Sequence, residues 1–230
     1  MNSSKKQARV AGLLYLLASI PGAFCLIYIP SHFIVSADAA VTASRIASSE
    51  FVFRLGMVGE LAGFIGFLFV VRALYRLFCG VSKAQASLMV TLMLVSIPIS
   101  LLNVLNEMAA LRLLDGGDFL SVFSQPQREA LALLFLKLHF DGFMVAQVFW
   151  GLWLIPFGVL VYKSGFLPKI LGVLLGIACF GYLANSLVAF GVLPDAAVSR
   201  LVGKLTICEL PIIFWLLIMG AKDQPLAATA

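Results

Sequence analysis

Six long runs of apolar residues, separated by short polar stretches, dominate the chain. Each run is rich in Leu, Phe, Val and Gly, and none shows the period-two alternation of a membrane β-barrel strand. A bilayer core of about 30 Å requires about 20 apolar residues in a helix, so every run is long enough to cross. The sequence therefore predicts an all-α, polytopic transmembrane bundle that forms a single domain over residues 1–230. The predicted spans are residues 10–29, 55–78, 87–111, 130–161, 170–192 and 205–221.

The polar stretches between these runs predict further details. Residues 31–53 form the longest connection, and their Ala- and Ser-rich part predicts a short interfacial helix on the outer side, capped by Ser36 or Asp38. The fourth run is longer than a span requires, so it is expected to tilt or to project beyond the bilayer. Prolines predict interruptions in four helices, as in the broken helices of transporters, although proline is also common in membrane helices. These prolines are Pro21, Pro98, Pro156 and Pro211.

Composition supports a membrane protein. Of the 230 residues, 62% are hydrophobic and 12% are charged, whereas a soluble domain has about 25% charged residues. This balance excludes an ordinary cytosolic enzyme, a disordered chain and a small disulfide-bonded domain. The four cysteines lack C-x-x-C spacing and fall in or beside apolar runs, so they are interpreted as small hydrophobic residues.

The charged residues predict an orientation. One set of segments, made of the two chain ends and the span ends and connections on the same side, holds nine basic residues and a single acidic one: Lys5, Lys6, Arg9, Arg72, Arg76, Lys83, Lys163, Lys169 and Lys222, against Asp223. The other set is balanced: Arg45, Arg54, Arg112, Arg128, Arg200 and Lys204, against Asp38, Glu50, Asp115, Asp118, Glu129 and Asp195. The positive-inside rule then places both termini in the cytoplasm. The excess of basic residues behind the net charge of +5 is expected to orient the protein in the lipid bilayer, and no binding of nucleic acid is expected. A cleaved signal peptide is the alternative for the first run, although about 20 apolar residues exceed the usual 7–15.

Several motifs resemble a known family. The stretch over residues 129–187 contains Leu138-His139 followed by Gly142-Phe143, and then Ser164-Gly165-x-Leu167-Pro168. With residues 9–16, 53–56 and 103–106, these motifs resemble the bacterial integral-membrane family named domain of unknown function 4386. The resemblance implies a multi-pass protein of the bacterial cytoplasmic membrane and implies no activity. In that family an acidic residue is common at the positions of Asn185 and Lys137, so these two are not taken as ligands.

A few strongly polar residues lie inside the spans, where ionisable groups are costly and are functional candidates. At about 1.5 Å per helical residue, all of them fall in the outer half of the membrane. We therefore expect a polar pocket open to the periplasm; the alternative is that these side chains only meet water near the interface. The candidate ligand-binding residues are Arg54, Glu60, Asn103, Asn106, Glu107, His139, Asp141 and Glu209. Arg54 could clamp an anionic group or extend to lipid headgroups.

The angular position of each residue around its helix predicts which way its side chain points. Asn103, Asn106 and Glu107 share one face of the third helix. Glu60 shares a face with three glycines, which favours a close neighbouring helix over lipid. His139 and Asp141 point about 160° apart on an ideal helix, so the two cannot enter one narrow pocket together. Asp141 could instead pair with Lys137 one turn away.

Three functions remain open from the sequence. The leading hypothesis is a pocket for a small polar or cationic ligand, such as a proton or metal ion, with a transport-related role. The first alternative is a membrane-embedded hydrolase or lipid-modifying enzyme in which the carboxylates and His139 bind zinc or manganese. The second is a structural or regulatory partner without a pocket. No nucleotide-binding or H-E-x-x-H motif occurs, and the sequence identifies neither a catalytic residue nor a cofactor.

Overall fold

The computed structural model describes residues 3–222 and contains only helices and connecting turns in that range. Six helical segments are long and apolar enough to cross a membrane, which confirms the predicted all-α class and the number of spans. These segments are Ser4–Phe33, Glu50–Phe78, Lys83–Asp115, Gln125–Ser164, Lys169–Ala189 and Ala197–Ile218. The sequence predicts that both chain ends are cytoplasmic. Some residues of these ends, among them Asp223, lie outside the described range.

The first span is longer than predicted and is built in three parts. Helix α1 covers Ser3–Ala23, a π-helical turn covers Phe24–Tyr28, and helix α2 covers Ile29–Phe33. Pro21 precedes the π-helical turn. A proline ring removes one helical N–H and clashes with the preceding turn, and such local disruption is a common cause of irregular helical turns. The hydrogen-bond pattern therefore changes from α-helical to π-helical and back, and the first span remains continuous.

The short helix predicted between the first two spans is present as α3, Ala39–Ser48. Asp38 is its cap, because the Asp38 carboxylate accepts a hydrogen bond from the backbone N–H of Val41 at 2.9 Å. Such a bond satisfies one of the free N–H groups at a helix start. Of the two candidate caps, the structure selects Asp38.

Two uninterrupted helices follow: α4, Glu50–Phe78, and α5, Lys83–Asp115. Helix α5 continues through Pro98, so the predicted interruption there is wrong. One proline removes a single N–H donor, and the surrounding 33-residue helix retains its other bonds.

The fourth span, Gln125–Ser164, is 40 residues long and consists of two helices. Helix α6 covers Gln125–Leu152 and helix α7 covers Leu154–Ser164, with a break at Trp153. Pro156 explains the break, because it cannot donate to the carbonyl of Leu152 four residues earlier. Helix α7 ends at Gly165, whose φ of +70° suits glycine, and helix α8, Lys169–Ala189, follows.

The last span begins earlier than the predicted residue 205. Helix α9 covers Ala197–Gly203, a 3-10 segment covers Lys204–Glu209, and helix α10 covers Leu210–Ile218. Pro211 stands at the start of α10, where its missing N–H and fixed φ are tolerated.

The chain divides into two compact units. Of the described residues, the first unit contains 3–17, 66–97 and 144–222, and the second contains 18–65 and 98–143. Both units are discontinuous in sequence, and α1, α4, α5 and α6 each contribute residues to both. That the chain acts as a single transmembrane domain stays a prediction.

Candidate functional site

Three ionisable side chains from three helices meet in the second unit. Glu60 comes from α4, Glu107 from α5 and His139 from α6. One carboxylate oxygen of each glutamate and one ring nitrogen of His139 lie within 4.8 Å of one another. His139 Nε2 is 3.3 Å from Glu60 Oε2 and 3.8 Å from Glu107 Oε1. We call these three residues the acid–histidine cluster.

The cluster is enclosed by protein. The exposed fraction is 2% for Glu60 and 5% for Glu107, and the His139 side chain is 12% exposed. The Phe143 ring meets the His139 ring edge-on at 4.7 Å, and Phe64 lies 6.2 Å from Phe143. Charged groups in such apolar surroundings are costly unless other charges or hydrogen bonds compensate them.

Compensation within the cluster is incomplete. Glu60 Oε1 and Glu107 Oε2 are buried, and neither has a hydrogen-bond partner among the described residues. Most buried polar atoms in proteins have a partner. Two orphan oxygens on neighbouring buried carboxylates therefore mark a place where a positively charged group would be stabilised.

Asn103 fixes the orientation of the histidine. Its Nδ2 donates to the backbone carbonyl of His139 at 2.7 Å, and His139 Nδ1 lies 3.1 Å from the backbone carbonyl of Asn103. A carbonyl only accepts, so Nδ1 carries the proton and donates. Asn106 adds a bond from its Nδ2 to Asn103 Oδ1 at 3.0 Å. These bonds leave Nε2 as the ring atom that faces the two carboxylates.

Small residues allow the helices to approach at this level. A Cβ at Gly142 would lie 2.1 Å from Asn103 Oδ1, so only glycine leaves room for that amide. On α4, positions 56, 59 and 63 face Ile29, Cys25 and Ala18 of the first span. Glu60 therefore faces neighbouring helices, as the glycine spacing predicts, and is shielded from lipid.

The donor set can hold a cation. One imidazole nitrogen and two carboxylate oxygens are ligands that divalent metals accept. With neutral His139 and two ionised glutamates, the cluster carries two negative charges. It offers no nucleophile held by a base, so its chemistry is coordination or proton exchange.

The remaining predicted residues do not share one location. Asp141 lies on the exposed surface of α6, as expected for a side chain about 160° from His139. Arg54 forms ion pairs with Glu50 at 2.5 Å and Asp115 at 3.4 Å. The Arg54 guanidinium is therefore already paired with acidic groups of the protein, and the Arg54 side chain is half exposed.

Glu209 belongs to the first unit and has its own partners. Tyr15 Oη donates to Glu209 Oε1, and Tyr182 Oη donates to Glu209 Oε2 at 2.6 Å. Each carboxylate oxygen is thus satisfied, in contrast to those of the acid–histidine cluster. The sequence did not single out Tyr15 and Tyr182; tyrosine hydroxyls inside apolar spans are the signal that would have indicated them, because such hydroxyls require a polar partner.

Comparisons with known proteins place the chain in a family. A family model described as "Domain of unknown function (DUF4386)" matches residues 10–220. An uncharacterized protein of Archaeoglobus fulgidus is 37% identical over 86 residues, which is 37% of this chain and 50% of that protein. The match therefore spans about half the length of that relative, and no solved structure matches. Because the family model covers most of the sequence, this multi-pass membrane protein belongs to the DUF4386 family.

Proposed function

We propose that this protein binds a small cation at the acid–histidine cluster. The observation that carries the proposal is the pair of buried carboxylates, Glu60 and Glu107, each with an oxygen that has no hydrogen-bond partner among the described residues. The other oxygen of each carboxylate, Glu60 Oε2 or Glu107 Oε1, faces the same imidazole nitrogen. A bound cation would compensate the two charges together.

The histidine alone cannot perform this compensation. His139 Nδ1 is committed to the Asn103 carbonyl, so protonation adds one N–H, at Nε2, and one positive charge. One of the two carboxylates would remain uncompensated. The Nε2 distances of 3.3 and 3.8 Å also exceed the 2.7–2.9 Å or so of a charge-assisted N–H···O bond.

The direct experiment measures whether cations stabilise the protein. Purified protein in nanodiscs would be heated with Na⁺, Mg²⁺, Ca²⁺, Mn²⁺ or Zn²⁺ at constant ionic strength. A ligand that binds only the folded state raises stability by about 2.7 kcal/mol at a concentration 100 times Kd, so at least one cation should raise Tm. The increase should disappear in the Glu60→Gln/Glu107→Gln double variant.

Asp141→Asn is the matched control, because Asp141 is an exposed acid two residues from His139. It should keep the cation-dependent increase in Tm. If no cation changes Tm in the unaltered protein, or if the double variant responds as strongly as the control, cation binding at the cluster is refuted.

The proposal includes an orientation and a cellular place. The concentration of Lys and Arg in one set of connections supports cytoplasmic termini in a bacterial cytoplasmic membrane. With that orientation, the cluster lies in the outer half of the bilayer and exchanges ligand with the periplasm. Flux of the bound cation across proteoliposomes would distinguish a transporter from a binding protein.

A further inference from the structure

We infer that the cation is a divalent transition metal of the zinc class, held by His139 Nε2 and one oxygen each of Glu60 and Glu107. The inference rests on the proposed cation binding and adds the chemical identity of the ligand. It follows from donor type, donor spacing, charge and the hydrogen bonds of the imidazole.

Donor type separates the candidate cations. Mg²⁺ and Ca²⁺ are hard ions that take oxygen ligands, six or more for Ca²⁺. Imidazole nitrogen suits zinc, copper, iron and nickel. A site that presents one nitrogen and two carboxylates therefore favours a borderline transition metal over the alkaline-earth ions.

Donor spacing agrees with a tetrahedral ion. Zinc–nitrogen and zinc–oxygen bonds of about 2.05 Å place neighbouring donors of a tetrahedron about 3.3 Å apart. The two distances from Nε2 are 3.3 Å to Glu60 and 3.8 Å to Glu107. The first matches this spacing and the second exceeds it by about half an ångström. The two carboxylate oxygens lie within 4.8 Å of each other, so side-chain rotation of the glutamates would bring all three donors to the ion.

The hydrogen bonds of His139 are those of a metal-binding imidazole. Metal-bound histidines usually donate the other ring N–H to a carbonyl or carboxylate, which fixes the tautomer and ring direction. Here the Asn103 carbonyl accepts from Nδ1 at 3.1 Å. Nε2 thus keeps a lone pair directed at the carboxylates, and Asn103 is a positioning residue for the ligand.

Charge and ligand number complete the argument. A divalent ion with two glutamates and neutral His139 forms an electrically neutral group, which suits a site enclosed by membrane helices. Three protein donors leave one tetrahedral position for water or another small ligand, as in exchangeable and catalytic zinc sites and unlike closed structural sites.

The experiment compares two histidine variants. Protein purified without added metal would be equilibrated with Zn²⁺ or Co²⁺, and bound metal would be counted by elemental analysis. A background with Cys79→Ser and Cys208→Ser removes the two partly exposed thiols, which could bind zinc elsewhere. We expect one metal per chain, a Co²⁺ visible spectrum, and retention of both in His32→Gln, whose histidine is exposed.

His139→Gln should lose the Co²⁺ spectrum and bind zinc at least 10-fold more weakly, with circular dichroism and size exclusion reporting that it folds. Glu107→Gln offers a second test if His139→Gln does not fold. Stabilisation by Mg²⁺ or Ca²⁺ without Zn²⁺ binding would overturn the metal class and leave cation binding intact. Unchanged zinc binding in both variants would overturn the site, and binding of no cation at all would refute the proposed function itself.

Discussion

Asn103 and His139 are joined by two hydrogen bonds that run in opposite directions. The Asn103 amide donates to the His139 backbone carbonyl at 2.7 Å, and the His139 ring donates to the Asn103 backbone carbonyl at 3.1 Å. The pair ties α5 to α6 at the level of the two buried glutamates. A change to the Asn103 side chain should therefore act on the cluster through the position of the His139 backbone, because the carbonyl that holds the imidazole remains.

Asn103→Ala should weaken zinc binding by less than about 10-fold, the lower limit for losing a direct hydrogen-bond partner of a metal ligand, because the backbone carbonyl that accepts from His139 Nδ1 remains. The variant removes the amide bond to the His139 backbone carbonyl, so α6 is less firmly tied to α5 and His139 can shift relative to Glu60 and Glu107. Competition against a zinc chelator measures the affinity. Asn185→Ala is the control, since Asn185 makes a similar amide-to-carbonyl bond to Gly203 at 3.4 Å in the first unit. Equal zinc affinity in the Asn103 and Asn185 variants would contradict the positioning role.

Gly142→Ala should disturb the same site by steric conflict. Its Cβ would lie 2.1 Å from Asn103 Oδ1, so the amide must move and lose its bond to the His139 backbone carbonyl. We expect a loss of about 1–3 kcal/mol in stability from overpacking, together with weaker zinc binding. Gly22→Ala is the comparison in the same unit, because its Cβ would meet nothing within 4 Å. Thermal unfolding with and without Zn²⁺ measures both effects, and a harmless Gly142→Ala would show that Asn103 adapts.

Tyr182→Phe should destabilise the first unit without changing cation binding. The variant leaves Glu209 Oε2 without its donor at 2.6 Å, and a buried group that loses a partner costs about 1–3 kcal/mol. Tyr162→Phe is the control, because Tyr162 is exposed and its ring contact with Lys169 survives in phenylalanine. Thermal unfolding should show a lower Tm for Tyr182→Phe only. A change in zinc affinity of Tyr182→Phe would indicate that the two polar groups are coupled.

Gly172→Ala should be strongly destabilising because α7 and α8 cross at glycine. A Cβ at Gly172 would lie 2.6 Å from the carbonyl oxygen of Gly158, and backbone atoms cannot rotate aside. We expect a loss of about 3 kcal/mol. Gly176→Ala, one turn further along α8, meets nothing within 4 Å and should be neutral or slightly stabilising. Unfolding of both variants in the same detergent provides the comparison, and equal Tm values would contradict the close crossing.

The predicted orientation can be tested with a membrane-impermeant maleimide on intact cells. Cys79 lies in the turn between α4 and α5, which the charge bias places inside. Ser36 precedes α3, which it places outside. In a Cys208→Ala background, Ser36→Cys should label and Cys79 should label only after lysis. Labelling of Cys79 in intact cells would reverse the orientation.

The sequence predicted those features that depend on one helix at a time. The number of spans followed from run length, the start of α3 from the two candidate caps Ser36 and Asp38, and the burial of Glu60 from its glycine neighbours. The shared face of Asn103, Asn106 and Glu107 followed from the period of 3.6 residues. All of these features depend on hydrophobicity and local helix geometry, and residues that are close in sequence determine both.

Only the tertiary structure decided which helices meet. The position of each polar residue along its span predicted only a depth in the outer half of the membrane, for Glu60, Glu107, His139 and Glu209 alike. Depth does not identify which side chains are neighbours. The structure joins the first three in one cluster and gives Glu209 to Tyr15 and Tyr182. The physical reason is that helices in a membrane pack side by side through small residues and polar contacts between segments that are distant in sequence. The hydrophobic pattern of a single helix does not determine which of these segments pair.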